Sequence, residues 1–445
     1  MIAYVLGVLV VVIGVALSIA LHEIGHLVPA KRFGIKVSQY MIGFGPTIWS
    51  RRVGETEYGI KALPLGGYIR MLGMFPPKPG EAPRMDTTGR WALLIEQARH
   101  DSQAEVGPGD HDRQFYQRSV PKRLVIMLGG PVMNLLVAVV LITGLLTLYG
   151  QPVQTNAVQV VSQCVLPSDA KANATCTPSG PVAPAAKAGL LPGDRIVAFA
   201  GTPVSSWSQI RTGIQSHGGA AVPVTVERAG KRIDLTLTPI PADRPKQTAD
   251  GTVVKDAQGR QVLERVGFAG LSPASELQRQ SITVVPGTIG GALLKVSGVV
   301  LRIPERMVGV AKAAFGSGER DPNGPVGLIG VGRMAGEVAS AQGPAGSSIT
   351  WVDRLVYLLS LVASLNLALF VFNLVPLLPL DGGHVAGALW EGARRTVARW
   401  RKRADPGPVD VAKALPVAYV VALALIGMSV LLMYADLVRP VQLNG

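Results

Sequence analysis

Charged residues are scarce in this chain, and this scarcity limits the class of protein to which it can belong. Only 16% of the 445 residues are Asp, Glu, Lys or Arg, 48% are hydrophobic, and the mean hydropathy is +0.33. This composition predicts a membrane protein with a soluble portion attached. The net charge of +14 does not indicate nucleic-acid binding, because the positive charge crowds into two loops beside apolar runs, as in cytoplasmic loops of membrane proteins.

The N-terminus lacks the basic residues with which a signal peptide begins. The first run, Ile2 to Ala20, contains no charged residue at all and is long enough to span a bilayer. We therefore expect a retained first span rather than a cleaved signal peptide.

Four apolar runs predict four transmembrane helices, at about 2–28, 121–149, 352–380 and 413–435. Lys and Arg concentrate in 31–120 and 384–412, whereas 150–165 contains neither. The positive-inside rule then places those two loops in the cytoplasm and both termini, with the large 150–350 segment, outside.

The region 280–340 is apolar but broken by proline and charged residues. We expect it to form amphipathic helices lying in the membrane interface. A fifth span within 281–310 would instead reverse the orientation of the last two spans.

Cysteine is also rare, and both copies, Cys164 and Cys176, fall in the segment predicted to lie outside. An oxidising compartment permits a disulfide between them. The alternative is two free thiols in a mobile loop.

Two histidines and a glutamate follow directly on the uncharged part of the first apolar run, in the sequence His22-Glu23-Ile24-Gly25-His26. On a helix, His22 and His26 lie one turn apart on one face and can bind one metal ion. Glu23 lies beside that face, where it can take a proton from a metal-activated water. Ionisable groups at membrane depth are costly, so this placement predicts hydrolysis inside a membrane.

A catalytic zinc ion usually has three protein ligands and a water. Asp381, after the apolar run that contains Asn373, is the predicted third ligand, and His384 is a rival. Pro376 and Pro379 deny this stretch a regular helix, and broken backbone at membrane depth usually lines a cavity. Both His22 and Asp381 are predicted near the cytoplasmic end of spans that run in the same direction.

With these motifs the chain resembles the site-2 protease family of intramembrane zinc metallopeptidases, in particular the bacterial regulator-of-sigma-E protease type. His22 to His26 corresponds to the family's HExxH motif, and Asn373 to Gly382 corresponds to its Asn-x-x-Pro…Leu-Asp-Gly motif. Pro379 stands one residue later than in the best-known members. The resemblance implies Zn²⁺ held by His22, His26 and Asp381, with Glu23 as the general base.

Three weaker motifs fit the same family. Gly43-Phe44-Gly45, between the strand-like Val37–Ile42 and Thr47–Trp49, resembles a membrane-re-entrant β-hairpin that abuts the site and could pair with an extended substrate. Gly129-Gly130-Pro131-Val-Met-Asn134 resembles the start of the second span, and Gly324 to Gly327 resembles a Gly-Pro-x-Gly element. Asn373 could hydrogen-bond the substrate backbone.

Residues 155–275 differ from the rest of the chain, because short alternating runs there predict strands. The stretch from Ala185 to Phe199 resembles the short helix, turn and strand of a PDZ domain, and Val266 to Leu271 would supply a late strand. The polar insertion 241–261 is predicted to be a loop. Such a domain either binds an extended peptide or excludes substrates with bulky ectodomains.

The predicted fold is a polytopic α-helical membrane protein with a cytoplasmic re-entrant β-hairpin and one inserted extracytoplasmic α+β PDZ domain. Its predicted segments are the first helix with HExxH (1–36), the hairpin region (37–75), a cytoplasmic loop (76–120), the second helix (121–149), the PDZ domain (155–275), interfacial helices (280–340), the third helix with the Asp-Gly motif (352–383) and the fourth helix (413–435).

The predicted activity is cleavage of a single-pass membrane protein in the inner membrane after a first cut outside. The resemblance suggests an anti-sigma factor as substrate. A non-proteolytic metal-binding scaffold and a metal transporter are the alternatives. Glu23 disfavours the scaffold, which needs no base, and the nearly charge-free spans disfavour the transporter.

Overall fold

A computed structural model describes residues 1–77, 90–166, 176, 180–246, 253–254, 256, 261–316, 320–321, 324–341 and 349–441. The chain divides into two compact units. The first unit comprises Met1–Leu146 and Ser281–Asn444, and the second comprises Thr147–Gln280.

The helices are given in chain order, and only α4 and α5 belong to the second unit. They are α1 (Ile2–Arg32), α2 (Arg90–Ala104), α3 (Val120–Gly144, extended by a π-helical turn over Leu145–Tyr149), α4 (Pro184–Lys187), α5 (Trp207–Ser216), α6 (Val285–Leu301), α7 (Ile303–Phe315), α8 (Leu328–Ser340), α9 (Trp351–Asn373), α10 (Asp381–Trp400) and α11 (Leu415–Val438).

The strands are β1 and β2 in the first unit and β3 to β10 in the second. They are β1 (Val37–Val53), β2 (Thr56–Met71), β3 (Gln151–Val161), β4 (Arg195–Phe199), β5 (Thr202–Pro203), β6 (Val222–Arg228), β7 (Lys231–Leu237), β8 (Ile240–Pro245), β9 (Leu263–Phe268) and β10 (Leu271–Gln278).

Five helical stretches of the described chain are long and apolar enough to cross a membrane. They are Ile2–Arg32, Val120–Tyr149, Ile282–Leu301, Trp351–Asn373 and Val411–Val438. Four overlap the predicted spans, so the protein is a membrane protein, but the predicted count of four is not confirmed. Pro286 does not break the additional helix, since it lies in the first turn, where proline is tolerated.

The third predicted span ends earlier than expected. Helix α9 stops at Asn373 rather than near 380, and Asp381 is the first residue of α10. Pro376 and Pro379 explain the break, since a proline inside a helix removes a hydrogen bond and clashes with the preceding turn.

The β-hairpin region pairs differently from the prediction. Val37–Ile42 and Thr47–Trp49 do not pair with each other. Both pair with β2, and the tight turn lies between Val53 and Thr56. Gly43, Gly45 and Gly66 have positive φ angles, which let each long strand bend. The segment Gly67–Met71 pairs with Val37–Ile42 on one side and with no described strand on the other.

The predicted cytoplasmic loop 76–120 contains the helix α2, although residues 78–89 of the loop lie outside the described residues. Arg99 of α2 is buried and forms ion pairs with Glu96 and Asp410. A long-range partner more than 300 residues away is not visible in local periodicity, which explains why the sequence did not indicate this helix.

The second unit is built on an antiparallel sheet in the order β10-β3-β4-β6-β7, with β5 beside β4 and a separate β8-β9 pair. Its core includes Ile196, Ile210, Val224, Val226 and Leu237. The predicted helix, turn and strand appear as α4, a glycine turn and β4. The PDZ assignment itself stays a prediction.

The structure tests two further expectations for this unit. The insertion 241–261 is not wholly a loop, because its first residues belong to β8, which pairs with β9; residues 247–252, 255 and 257–260 lie outside the described chain. Cys164 and Cys176 are joined by a disulfide with their Cα atoms 5.7 Å apart.

The buried carboxylate of Asp194 stabilises the glycine turn that precedes β4. Asp194 is 1% exposed and accepts hydrogen bonds from Arg228 Nε (2.7 Å), Arg228 Nη2 (2.8 Å) and the Leu191 N–H (2.8 Å). Burial alone would raise the pKa of Asp194, but these donors outweigh it and hold the pKa below its usual range.

Candidate metal centre

Helix α1 brings two imidazoles to one point. His22 and His26 are one turn apart, and their Nε2 atoms are 3.2 Å from each other. His26 is 5% exposed. The helix continues through both residues because Ile2 to Arg32 offers no break before Pro29.

The third group arrives from the start of α10. Asp381 Oδ2 lies 3.3 Å from His22 Nε2 and 3.4 Å from His26 Nε2. Gly382 and Gly383 permit this approach, because a Cβ on either would overlap the backbone of residues 374–378. The sequence-predicted trio therefore comes together, while His384 is not a member of the cluster.

The size of this triangle fits zinc. Zn–N and Zn–O bonds of about 2.0–2.1 Å in a tetrahedron place ligand atoms roughly 3.3 Å apart. The three observed separations are 3.2, 3.3 and 3.4 Å. Three such donors leave a fourth tetrahedral position for water, which is the arrangement of catalytic rather than structural zinc sites.

Helix α3 supplies no ligand but lies directly against the imidazoles. A Cβ on Gly130 would lie 2.7 Å from both His22 Nε2 and Cε1, and closer still to His26 Nε2. One residue earlier, Gly129 crosses Gly25 of α1 so closely that a Cβ on either would overlap the other's carbonyl. Glycine is needed here because the helix backbones touch.

Two groups on α3 set the orientation of the histidine rings. His26 Nδ1 lies 2.7 Å from the Ile126 carbonyl oxygen, so Nδ1 carries the proton and donates it, which frees Nε2 for a metal. The Asn134 side-chain amide lies 3.1 Å from His22 Nδ1, and Asn134 is 1% exposed. Its Oδ1 is buried without a hydrogen-bond partner. Turned by 180°, the amide presents Oδ1 as acceptor for Nδ1–H.

Glu23 is a buried carboxylate beside the triangle. It is 7% exposed, and in the described chain it has neither a hydrogen bond nor an ion pair with a lysine or arginine. The β-sheet closes over it, since a Cβ on Gly67 would lie 2.9 Å from Glu23 Cγ. An unpaired carboxylate in such a place is costly unless it serves a metal or a proton transfer.

Comparison with known proteins decides the family. Residues 10–404 match peptidase family M50, the site-2 protease family. The chain belongs to peptidase family M50. It is similar to the zinc metalloprotease Rip1 of Mycobacterium tuberculosis, at 33% identity over 99% of both chains.

Two further relatives agree. Rip1 of Mycolicibacterium smegmatis is 32% identical over 98% of both chains. The zinc metalloprotease RasP of Geobacillus kaustophilus is 26% identical over 82% of this chain and 84% of its own. This M50 peptidase is therefore a zinc-dependent metalloendopeptidase, which decides against the scaffold and the transporter.

The predicted substrate-binding residues of this M50 peptidase lie on two elements, the end of α9 and the strand β1, and their role stays a prediction. Asn373 ends α9, is half-buried, and makes no side-chain hydrogen bond in the described chain. Phe44, between Gly43 and Gly45, is 45% exposed and stacks on Tyr68. Two sheet residues contact α1 beside the site: Gly67 lies against Glu23, and the Tyr40 hydroxyl donates to the Ala20 carbonyl at 2.8 Å.

Sequence reasoning missed the roles of Ile126, Asn134 and Gly67. The run Gly129 to Asn134 was a visible signal, but small residues in a span indicate only close packing. Its contact with the histidines depends on how α3 lies against α1, about 100 residues away.

Proposed function

We propose that this M50 peptidase hydrolyses a peptide bond in the membrane-spanning segment of a single-pass protein. His22, His26 and Asp381 hold the zinc ion, and Glu23 is the general base. The observation that carries the proposal is a zinc-sized donor triangle beside an unpaired buried carboxylate, on or next to a helix whose first 19 residues, Ile2 to Ala20, carry no charge.

Bound zinc would polarise the scissile carbonyl and make the attacking water more acidic. Glu23 accepts the proton of that water and delivers it to the departing amine nitrogen. The Ile126 carbonyl accepts from His26 Nδ1. The Asn134 amide, turned so that Oδ1 accepts from His22 Nδ1, holds the second imidazole in the same tautomer, which leaves both Nε2 atoms free. Asp381 stays ionised as a ligand, so the two carboxylates have separate tasks.

The substrate must be extended at the cut, because a helix keeps its carbonyls hydrogen-bonded. The outer segment Gly67–Met71 has an open strand edge, and its first residue, Gly67, lies against Glu23. We therefore assign substrate pairing to this edge, because it begins beside Glu23, whereas Gln39–Ile42 is already paired on both sides within the sheet.

The substrate class and the orientation belong to the same proposal. We expect a single-pass protein that another protease has first shortened, with an anti-sigma factor as the leading candidate. The active site is expected near the cytoplasmic side, with both termini and the second unit outside, as the distribution of Lys and Arg indicates.

The test compares wild type with Glu23→Gln in cells that produce a shortened, tagged single-pass substrate. We expect the product to disappear while the purified variant keeps its zinc, since the amide cannot accept the proton. Glu337→Gln, on a half-exposed residue of α8 that pairs with Arg333, is the matched control and should cleave normally. Equal product from Glu23→Gln and wild type would remove Glu23 as the base.

A further inference from the structure

Helix α10 presents an apolar face that no described residue covers. Its members are Leu389, Trp390, Val397 and Trp400, which are 55, 62, 45 and 83% exposed. At 3.6 residues per turn these four fall within an arc of about 100°. Helix α10 is not among the helices apolar enough to span a membrane, so exposure to the lipid core does not account for this face.

The opposite side of α10 is fixed to the protein. Ala388 and Glu391 are buried there, and Glu391 forms a buried ion pair with Arg123 of α3. Glu391 Oε2 also accepts the Val409 N–H at 2.9 Å. The helix is therefore held in one rotational setting, with its tryptophans turned outward.

Positive charge accompanies the apolar face. Arg399, Arg401, Lys402 and Arg403 are exposed, and none pairs with an acidic side chain in the part of the chain that the structure describes. Arg395 is the one basic side chain in this stretch that is engaged, with Glu391 and Asp405. No Asp or Glu lies between Glu391 and Asp405 in the sequence to balance the cluster.

We propose that α10 lies on the membrane surface and binds anionic phospholipid, with its apolar face among the acyl-chain ends and its basic cluster on headgroup phosphates. Tryptophan prefers this depth, and arginine and lysine reach outward from it. Surface helices combine these two features. Continuity supports a bilayer over a protein partner, because α10 is flanked in the chain by two candidate spans, Trp351–Asn373 and Val411–Val438.

The inference does not depend on the peptidase assignment, and its test needs no activity. The chain's two cysteines are bonded to each other, so a single introduced cysteine can be spin-labelled selectively. Val397→Cys places the label on the apolar face. Arg399→Cys, an exposed position rotated by about 160° from Val397, is the matched control. Both full-length proteins are placed in nanodiscs of phosphatidylcholine alone or with phosphatidylglycerol, and collision with oxygen and with a water-soluble nickel complex is measured.

We expect the Val397 label in anionic discs to meet oxygen in preference to nickel, and the Arg399 label to show the reverse. Replacing Arg399, Arg401, Lys402 and Arg403 together with Gln should make the Val397 label several-fold more accessible to nickel, since each charge near an anionic surface changes binding by roughly fivefold.

Three outcomes would overturn the proposal. The first is a Val397 label that is equally accessible to nickel in both lipid mixtures. The second is shielding that persists unchanged in the four-Gln variant. The third is shielding accompanied by dipolar broadening between labels, which would assign the face to a second copy of the chain.

Discussion

Replacing Gly130 by alanine tests the metal centre at a position where there is no room for a side chain beside the two imidazoles. The new methyl would lie 2.7 Å from His22 Nε2 and closer to His26 Nε2, whereas non-bonded carbon contacts favour about 3.5 Å. The imidazoles must therefore move by roughly 0.8 Å or more. If α3 moved away from α1 instead, the close crossing of Gly25 and Gly129 would be lost.

A shift of that size is large on the scale of metal coordination, which tolerates deviations of about 0.2 Å. We expect zinc affinity to fall by at least about 100-fold, and cleavage to fall by a similar factor or more. Chelator competition on the purified protein measures the affinity, and the tagged single-pass substrate measures cleavage.

The control is in the same helix. A Cβ on Gly144 meets nothing within 4 Å, so Gly144→Ala should keep both zinc and activity. If Gly130→Ala bound zinc as tightly as the control, the close approach of α3 to the histidines would be wrong, and the reasoning from it would fail.

The remaining predictions concern the ring-orienting amide and the ion pair of the second unit. Asn134→Leu should weaken zinc binding by about 10- to 100-fold, whereas Asn366→Leu, which removes an equally buried amide bonded to Ser18, should leave zinc affinity unchanged; equal losses in both would point to general damage. The lowered pKa of Asp194 means that its stabilisation is present above about pH 4 and is lost as the pH falls through the lowered value. Hydrogen exchange of β4 and β6 in the full chain should show this loss in wild type and not in Asp194→Asn, and an identical acid response in both would refute it.

Most of the metal centre could be predicted from the sequence, because its signals are local. The spacing of His22 and His26 fixes a helix face, and Asp381 stands out as a carboxylate after an apolar run. The contacts that complete the site depend on tertiary packing. Nothing near Asn134 or Gly130 in the sequence shows that α3 meets α1 at the histidines.

The same limit applies to the fold. Apolar length indicates four of the five candidate spans, but the prolines and charged residues of the region 280–340 favour interfacial helices over the fifth, Ile282–Leu301. Of these residues, Pro286 lies in the first turn of α6, where it does not break the helix. The strand order around Gly43 depends on bends that the backbone makes at positive φ angles, and alternation of residue types does not reveal which strand pairs with which.

The crossing of Gly25 and Gly129 also limits how this protein can change. At most tight contacts a larger side chain on one helix can be offset by a smaller one opposite. Here each added Cβ would meet a backbone carbonyl, which every amino acid carries, so no substitution at one position rescues the other. A second-site mutation that suppresses the effect of replacing either glycine would have to act elsewhere, by widening the distance between α1 and α3. Any such widening would also change the positions of the metal ligands, which lie within one helical turn of this crossing.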